Sequence, residues 1–318
     1  MQSMSYHILH LTTPNCSLSS DRGLLFCKFD NNETNMIPIQ DLKSIIVATH
    51  GITFTNSCLA KLLENDVVIL HCNNHYQPVG WSLPLERIVR TSVFYNQTSR
   101  NEDFEAGLWK MIVSAKVLNQ ANNLVLMGDN EHNLFKLIKR PLMNEANIAK
   151  QYWEHYFSII GFPQNREHRN AQSFENGCLN YGYAVIKTLI LRSIIIHGLS
   201  AGIGIHHLGK YNSTPLVYDL MEPYRAFVDY YFYKFVKDKT EDYKNEDIKS
   251  FSRYLAECIK QYRLEINGKS YKIVDAIDIY IEKIAEAYIN YNYIGIFLPY
   301  IENQYLHIDK HRNREYEE

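Results

Sequence analysis

The sequence predicts an α+β protein in which a small N-terminal β-rich domain is followed by a larger all-helical domain. Three observations predict it. Up to residue 88 the chain consists of short β-favouring runs separated by turn formers. From Asn101 onward, apolar residues recur at spacings of three and four over stretches too long for strands. A length of 318 residues exceeds the usual single domain but suits a small domain joined to a larger one.

In the N-terminal domain, residues 1–88, the strand-forming runs are His7 to Leu11, Gly23 to Phe29, Ser44 to Ala48 and Val67 to His71. Asn56 to Glu64 (NSCLAKLLE) carries apolar residues at helical spacing after a polar cap, which predicts one short helix among them. The boundary falls near Glu86 to Arg100, a segment that carries Arg87, Arg90 and Arg100. Residues 89–102 read as a linker, or as the first turn of a helix.

Helical patterns then run over Phe104 to Met127, Ala146 to Ile160, Phe174 to His197, Leu220 to Lys237, Asp247 to Gln261 and Val274 to Leu298, in a helical domain of residues 103–302. Within it, Asn267-Gly268 is the dipeptide of a tight hairpin, expected over Leu264 to Ile273. Residues 303–318 are polar and charged, as in a frayed tail.

Composition bounds the function classes. Hydrophobic residues at 46% and charged residues at 21% suit a packed core and exclude disorder of the whole chain. The formal net charge of −2 lacks the basic excess of a general nucleic-acid binder, so any DNA surface must be a local patch or come from a partner. Six scattered cysteines without CxxC spacing argue against a structural zinc site or a disulfide framework and fit a reducing cytoplasm. Met1 to His10 lacks a signal pattern, and no apolar run reads as long enough to span a membrane, the longest being broken by His197 and Gly198. The 24 tyrosines suit half-buried helix faces, and also surfaces that stack on nucleobases; packing is the favoured reading.

Reactive residue types are densest between Gly198 and Arg225, GLSAGIGIHHLGKYNSTPLVYDLMEPYR. Glycines before His206 and His207 suggest a bend that brings an imidazole against other elements. Asp219 and Glu222, three apart, share one helix face, and Arg225 lies a further three along. Glu145 precedes Ala149, Tyr152 and Tyr156 at spacings of four, seven and eleven, which puts a carboxylate on an apolar face where it needs a partner or a cation. Each has an ordinary reading beside the chemical one. Glu145 also fits a helix N-terminal acid with Asn144 as its cap, either histidine alone fits a core or surface residue, and Arg225 fits an ion pair with Asp219 or Glu222. Glu, His and Glu together offer ligands suited to Mn²⁺ or Mg²⁺.

Four segments in order, Asn144 to Trp153 (NEANIAKQYW), Leu179 to Ala184 (LNYGYA), Gly204 to His207 (GIHH) and Asp219 to Arg225 (DLMEPYR), resemble the consecutive motifs of the CRISPR-associated integrase family Cas one. The N-terminal half is similar too, at Ile37-Pro38-Ile39, Leu42 to Ala48, Val67 to His71 and Gly80 to Pro84, so the resemblance covers nearly the whole chain. It implies a β-domain used in dimerisation, a helical catalytic domain, and a Mg²⁺ or Mn²⁺ site of Glu145, His207 and Glu222. Asp219, His206 and Arg225 would stand beside it.

The implied reaction is insertion of short DNA spacers into a CRISPR array, the 3′-hydroxyl of a DNA duplex attacking a phosphodiester at a repeat end without a covalent enzyme intermediate. The implied partners are double-stranded DNA, a second copy of the chain and a dimer of Cas two. The His-His pair and DLMEPYR look most like type II members, whose systems would add Csn two and Cas nine. Lys136, Lys139, Arg140, Lys187, Arg192 and Lys210 are candidates for tracking phosphates. The competing readings are a metal-dependent, structure-selective nuclease of DNA repair, in which water replaces the 3′-hydroxyl, and a non-catalytic DNA-binding scaffold.

Overall fold

The computed structural model describes residues 8–73, 78–85, 91–129, 141–162, 165–167, 171, 173–207, 212–239 and 247–301. The N-terminal region carries β1 (Ile8–Leu11), β2 (Ser17–Asp21), β3 (Leu24–Lys28), β4 (Thr34–Pro38), β5 (Ser44–Val47), β6 (Thr53–Phe54), α1 (Asn56–Glu64), β7 (Val68–Cys72) and β8 (Pro78–Ser82). They form two four-stranded sheets, ordered β1-β5-β7-β8 and β4-β3-β2-β6.

In the first sheet β1, β5 and β7 run parallel and β8 antiparallel. Its central strands β5 and β7 are largely buried on both faces, which explains the mostly apolar runs SIIV and VILHC. Ile45, Val47 and Ile69 pack with Leu18, Leu25 and Ile37 of the second sheet, whereas Ile46 and Leu70, one residue out of phase, join the core of the helical domain. Helix α1 spans the predicted residues, its Thr55 hydroxyl accepting from Cys58 N–H. Strands β2 and β4 were not expected because they are polar and mostly exposed, with only Leu18 and Ile37 fully turned inward. The β2–β3 turn also hides from the usual turn signals: Arg22 takes a φ of 45° beside Gly23 at 79°.

The helical region carries α2 (Thr91–Ser99), α3 (Glu102–Leu126), α4 (Pro141–Ile159), α5 (Phe174–Ile196), α6 (Pro215–Met221), a 3-10 turn (Glu222–Tyr224), α7 (Arg225–Lys239), α8 (Ile248–Gln261), the hairpin β9 (Arg263–Ile266) and β10 (Lys269–Lys272), and α9 (Ile273–Asn290). The hairpin turns at Asn267 and Gly268, both at positive φ, as the dipeptide predicts.

Three expectations change. Residues 89–102, read as a linker or a helix start, contain the whole of α2. The helix expected over Leu220 to Lys237 is broken at Pro223, which has no N–H to donate, and the chain passes the break with a 3-10 turn. Helix α9 stops at Asn290 instead of near Leu298, because Tyr291 turns left-handed at φ 48° and its hydroxyl ties to Asn96 C=O, while the Tyr293 ring stacks on Phe104. Residues 303–318 lie outside the described residues.

Helix α5 is long and apolar enough to cross a membrane by length and composition, contrary to the sequence reading, but 78% of that window is buried inside the protein. It is the central helix of the domain. It also meets the N-terminal sheets, Trp81 Nε1 of β8 donating to Thr188 Oγ1 at 3.0 Å, and α9 meets the N-terminal region too, its Asp275 and Asp278 lying 2.8 and 2.6 Å from Lys43 Nζ.

Candidate active site

The site forms where α3, α4 and the break between α6 and α7 meet. Helix α4 begins at Pro141, so Glu145 sits in its second turn and Asn144 lies inside the helix instead of capping it. The carboxylate points at α3, where Lys116 Nζ donates to Glu145 Oε1 at 2.8 Å. Glu222 opens the 3-10 turn and is 4% exposed. Its Oε1 accepts from Arg225, whose Nε and Nη2 both lie at 2.9 Å. Its Oε2 is buried and forms an ion pair with the same Lys116 Nζ at 2.8 Å, off the line of an ideal hydrogen bond. Glu145 and Glu222, far apart in sequence, therefore converge on one cation.

Burial would raise the Glu222 carboxyl, but Arg225 and Lys116 outweigh it and bring it down to about 2. Lys116, itself buried, is raised by Glu222 and Glu145 against the opposing effect of burial.

His207 is positioned by Asp219. This acid is fully buried in α6 and accepts four hydrogen bonds: Oδ2 from Ile205 N–H at 2.7 Å and His206 N–H at 3.1 Å, and Oδ1 from His207 N–H at 3.2 Å and His207 Nδ1 at 2.5 Å. The loop is wrapped around one carboxylate. An Nδ1–H donated to Asp219 fixes the tautomer that leaves the lone pair on Nε2. That hydrogen bond raises the imidazole above its ordinary value, with burial opposing and Glu222 adding to the rise. His207 stands close enough to feel both Glu222 and Lys116.

His206 stacks flat on the Trp109 ring, centroids 4.4 Å apart at 6°, and serves the loop's packing. Asp219, its lone pairs taken by the loop, stands behind the imidazole. Arg225 pairs with Glu222, and its guanidinium lies 5.0 Å over the Tyr183 ring.

Helix α3 supplies what the sequence reading missed. Trp109, Lys116, Asn119 and Asn123 line one of its faces. Asn119 Nδ2 donates to Pro223 C=O at 2.7 Å and Asn123 Nδ2 to Ala226 C=O at 2.6 Å, so they satisfy the broken helix and fix Glu222. The available signal was a lysine and two asparagines, Lys116, Asn119 and Asn123, at spacings of three and four on one face of the helix. Gln97 of α2 does the same for the histidine loop, donating to Ser200 and Ile203 carbonyls and accepting from Ser200 N–H.

Among the phosphate-tracking candidates, Lys136, Lys139, Arg140 and Lys210 lie outside the described residues. Lys187 is half-buried over the Tyr218 ring, 4.6 Å from its centroid. Arg192 is committed elsewhere, to Asp66 C=O and to Asp278 in the joint between the domains.

The donor set suits a hard divalent cation, with two carboxylates and an imidazole. Among the described residues no three His, Cys, Asp or Glu side chains stand near enough to share an ion as they are. The fit rests instead on two features: Oε2 of Glu222 is a buried oxygen with no well-aligned hydrogen bond, and an ammonium stands in for a cation between the two acids.

The family model for CRISPR associated protein Cas1, the family whose motifs the sequence resembles as Cas one, matches residues 9–257. The CRISPR-associated endonuclease Cas1 1 of Francisella tularensis subsp. novicida is 34% identical over 289 residues, 80% of this chain and 87% of that protein. The CRISPR-associated endonuclease Cas1 of Neisseria meningitidis is 28% identical over 207 residues, 63% of this chain and 66% of the Neisseria protein. In fold, a casposase bound to its integration product matches with a TM-score of 0.77 at 17% identity, over 93% of this chain and 96% of that one. A Cas6-RT-Cas1–Cas2 complex matches with a TM-score of 0.73 at 16% identity, over 93% of this chain and 36% of that one. The two sheets, the helical domain behind them and the motif residues gathered at the broken helix thus belong together: this chain is a member of the Cas1 family.

Proposed function

We propose that the chain is the DNA integrase and endonuclease subunit of CRISPR adaptation, inserting short spacers by attack of a DNA 3′-hydroxyl on a phosphodiester of the repeat, with Mg²⁺ or Mn²⁺ as cofactor. The observation that carries this reading is the convergence of Glu145 and Glu222 on one cation beside a His207 that Asp219 orients. A bound divalent ion would supply charge neutralisation at the phosphate and lower the pKa of the attacking hydroxyl.

The residues' own parts follow from their settings. Glu145 and Glu222 hold negative oxygens at fixed separation, and Arg225 keeps Glu222 ionised at every working pH. Asp219 keeps the Nε2 lone pair of His207 directed away from itself. No side chain need act as a nucleophile, because the attacking group belongs to DNA.

The partners of this reading are double-stranded DNA, a second copy of the chain and a Cas2 dimer, with Csn2 and Cas9 added in a type II system. Family membership and the fold likeness to a chain of a Cas1–Cas2 complex support the Cas2 dimer. A cytoplasmic location agrees with six free cysteines, five of them buried.

The test supplies a linear duplex with free 3′ ends, a plasmid bearing a CRISPR repeat, the Cas2 partner and Mn²⁺. Products joined at the repeat edge, lost in Glu222→Ala and His207→Ala proteins that still fold, are expected. Cleavage without joining would replace integration by hydrolysis, and joining undiminished in both variants would remove the site assignment altogether.

A further inference from the structure

Lys116 is the unusual member of the site, and its position suggests a role that the acids and the histidine do not suggest. It projects from the middle of α3, a helix otherwise buried along most of its length, and its side chain is only 12% exposed. Its ammonium lies 2.8 Å from Glu145 Oε1 and 2.8 Å from Glu222 Oε2. The other oxygen of Glu222, Oε1, is taken by Nε and Nη2 of Arg225, and Arg225 is in turn held over the Tyr183 face. Arg225 is therefore fixed on its own side of Glu222, and the oxygens that face each other share Lys116.

The charges balance in this arrangement, two carboxylates against one ammonium and one guanidinium. A divalent ion changes the balance. Bound by Glu145 and Glu222, it would compete with the ammonium for the space between the two carboxylates. A unit charge about 4 Å from a doubly charged ion is repelled strongly wherever water is largely excluded. Of the two basic groups, the lysine is the one able to leave: it sits on a flexible stem and has an off-line contact to Glu222, whereas the arginine brings two nitrogens to Glu222 Oε1 and is stacked on Tyr183.

We propose that Lys116 is a tethered counter-ion that is exchanged for the divalent metal: with no divalent ion bound it holds Glu145 and Glu222 together, and metal loading expels its ammonium from between them. Lys116 is thus a positioning residue for the empty site and an internal competitor of the metal. It keeps the acids preorganised against their mutual repulsion, and it weakens metal affinity by the work of its own displacement. The released positive charge becomes available to an anionic ligand only once the metal is in place. The inference rests on the metal-site reading above.

Two measurements on the full-length protein without DNA test it. In the first, Mn²⁺ binding is followed by the loss of the free-ion electron paramagnetic resonance signal. Lys116→Met is expected to bind Mn²⁺ about tenfold more tightly or better, to melt at lower temperature without metal, and to gain more from added Mn²⁺ than the parent does. Lys116→Gln gives the same comparison should the methionine variant not fold. Lys150→Met, changing a lysine with a 74% exposed side chain, is the control and leaves affinity unchanged.

In the second, the parent protein is labelled with an amine-acylating reagent and digested for mass spectrometry. Labelling of Lys116 is expected to rise several-fold on addition of Mg²⁺ while that of Lys150 stays constant. Mn²⁺ affinity unchanged or weakened in the Lys116 variants, or Lys116 labelling indifferent to Mg²⁺, overturns the exchange. Glu145→Gln and Glu222→Gln separate this failure from that of the wider reading. If they bind Mn²⁺ as the parent does, the metal site and the exchange both fall; if they lose it while Lys116 variants gain nothing, only the exchange falls.

Discussion

His207 and Asp219 meet at 2.5 Å between Nδ1 and Oδ1, and the same carboxylate accepts the backbone N–H groups of Ile205, His206 and His207. One buried acid thus fixes both the backbone of the loop and the orientation of its imidazole. Asp219→Asn keeps an oxygen for the Ile205 and His206 N–H groups but turns its NH2 toward His207 N–H and Nδ1. The side chain then no longer selects the tautomer with Nε2 unprotonated. Removing such a partner from a ligating histidine costs roughly 10–100-fold in metal affinity. Titration of the variant with Mn²⁺ should show a loss of that order, with a lower melting temperature from the unpaired His207 N–H; unchanged affinity would mean that Asp219 serves only the loop.

The pH dependence follows from the raised pKa of His207, caused first by its hydrogen bond to Asp219. A histidine raised on folding stabilises the metal-free protein below its unfolded value of about 6.5 and loses that contribution as pH rises through the folded value. Metal binding needs the neutral ring and so runs the opposite way. Mn²⁺-dependent joining should therefore fall on the acid side with a limb above pH ~6.5, and the limb should move to lower pH as Mn²⁺ is raised. Rate profiles at two Mn²⁺ concentrations decide this; a limb that ignores the metal would belong to another group.

The sequence was informative where one element's pattern carried the meaning. Helix α1, the Asn267-Gly268 hairpin and the long helices are periodic or carry their own turn residues, and the structure has them. Exposed strands such as β2 and β4 were not legible, because a polar strand on one side of a sheet has no apolar alternation to betray it. At the site, Glu145, His207 and Glu222 were named through their motifs. Lys116, Asn119 and Gln97 were not, since each acts across space on a distant element: Lys116 on two acids, Asn119 on the Pro223 carbonyl, Gln97 on the loop before the histidines. Such relations, Asn119 with the carbonyl of Pro223 itself among them, exist only after packing.

The glycine of the LNYGYA segment is explained by a helix crossing. A Cβ added at Gly182 would lie 2.3 Å from Val228 Cγ1 of α7, inside any real contact. Overpacking of this kind costs about 1–3 kcal/mol. Gly182→Ala should lower the urea midpoint accordingly, and Val228→Ala added to it should recover part of the loss, since both sides of the contact then fit. If the double variant is as unstable as the sum of the two single ones, the close approach of α5 and α7 is not the reason for the glycine.

Gly204 has a different reason, tied to chemistry. A Cβ there would lie 2.4 Å from His207 C=O, 2.9 Å from Pro215 Cβ and 3.0 Å from Asp219 Oδ2. The missing side chain is what lets residues 205–207 curl tightly enough to aim three N–H groups and one imidazole at a single carboxylate. In Gly204→Ala the backbone oxygen and the start of α6 must give way, and the histidine moves with them. A displacement of about 1 Å at a reacting centre costs on the order of 10²-fold in rate, whereas the loop contributes few of the domain's buried apolar contacts. The expected result is joining reduced by about two orders of magnitude with a melting temperature within a few degrees of the parent, the reverse of the Gly182→Ala pattern. Measuring both quantities on both variants separates a glycine required by packing from one required by the site; a Gly204→Ala protein that melts early and joins normally once folded would show that the loop's curvature is not what positions His207.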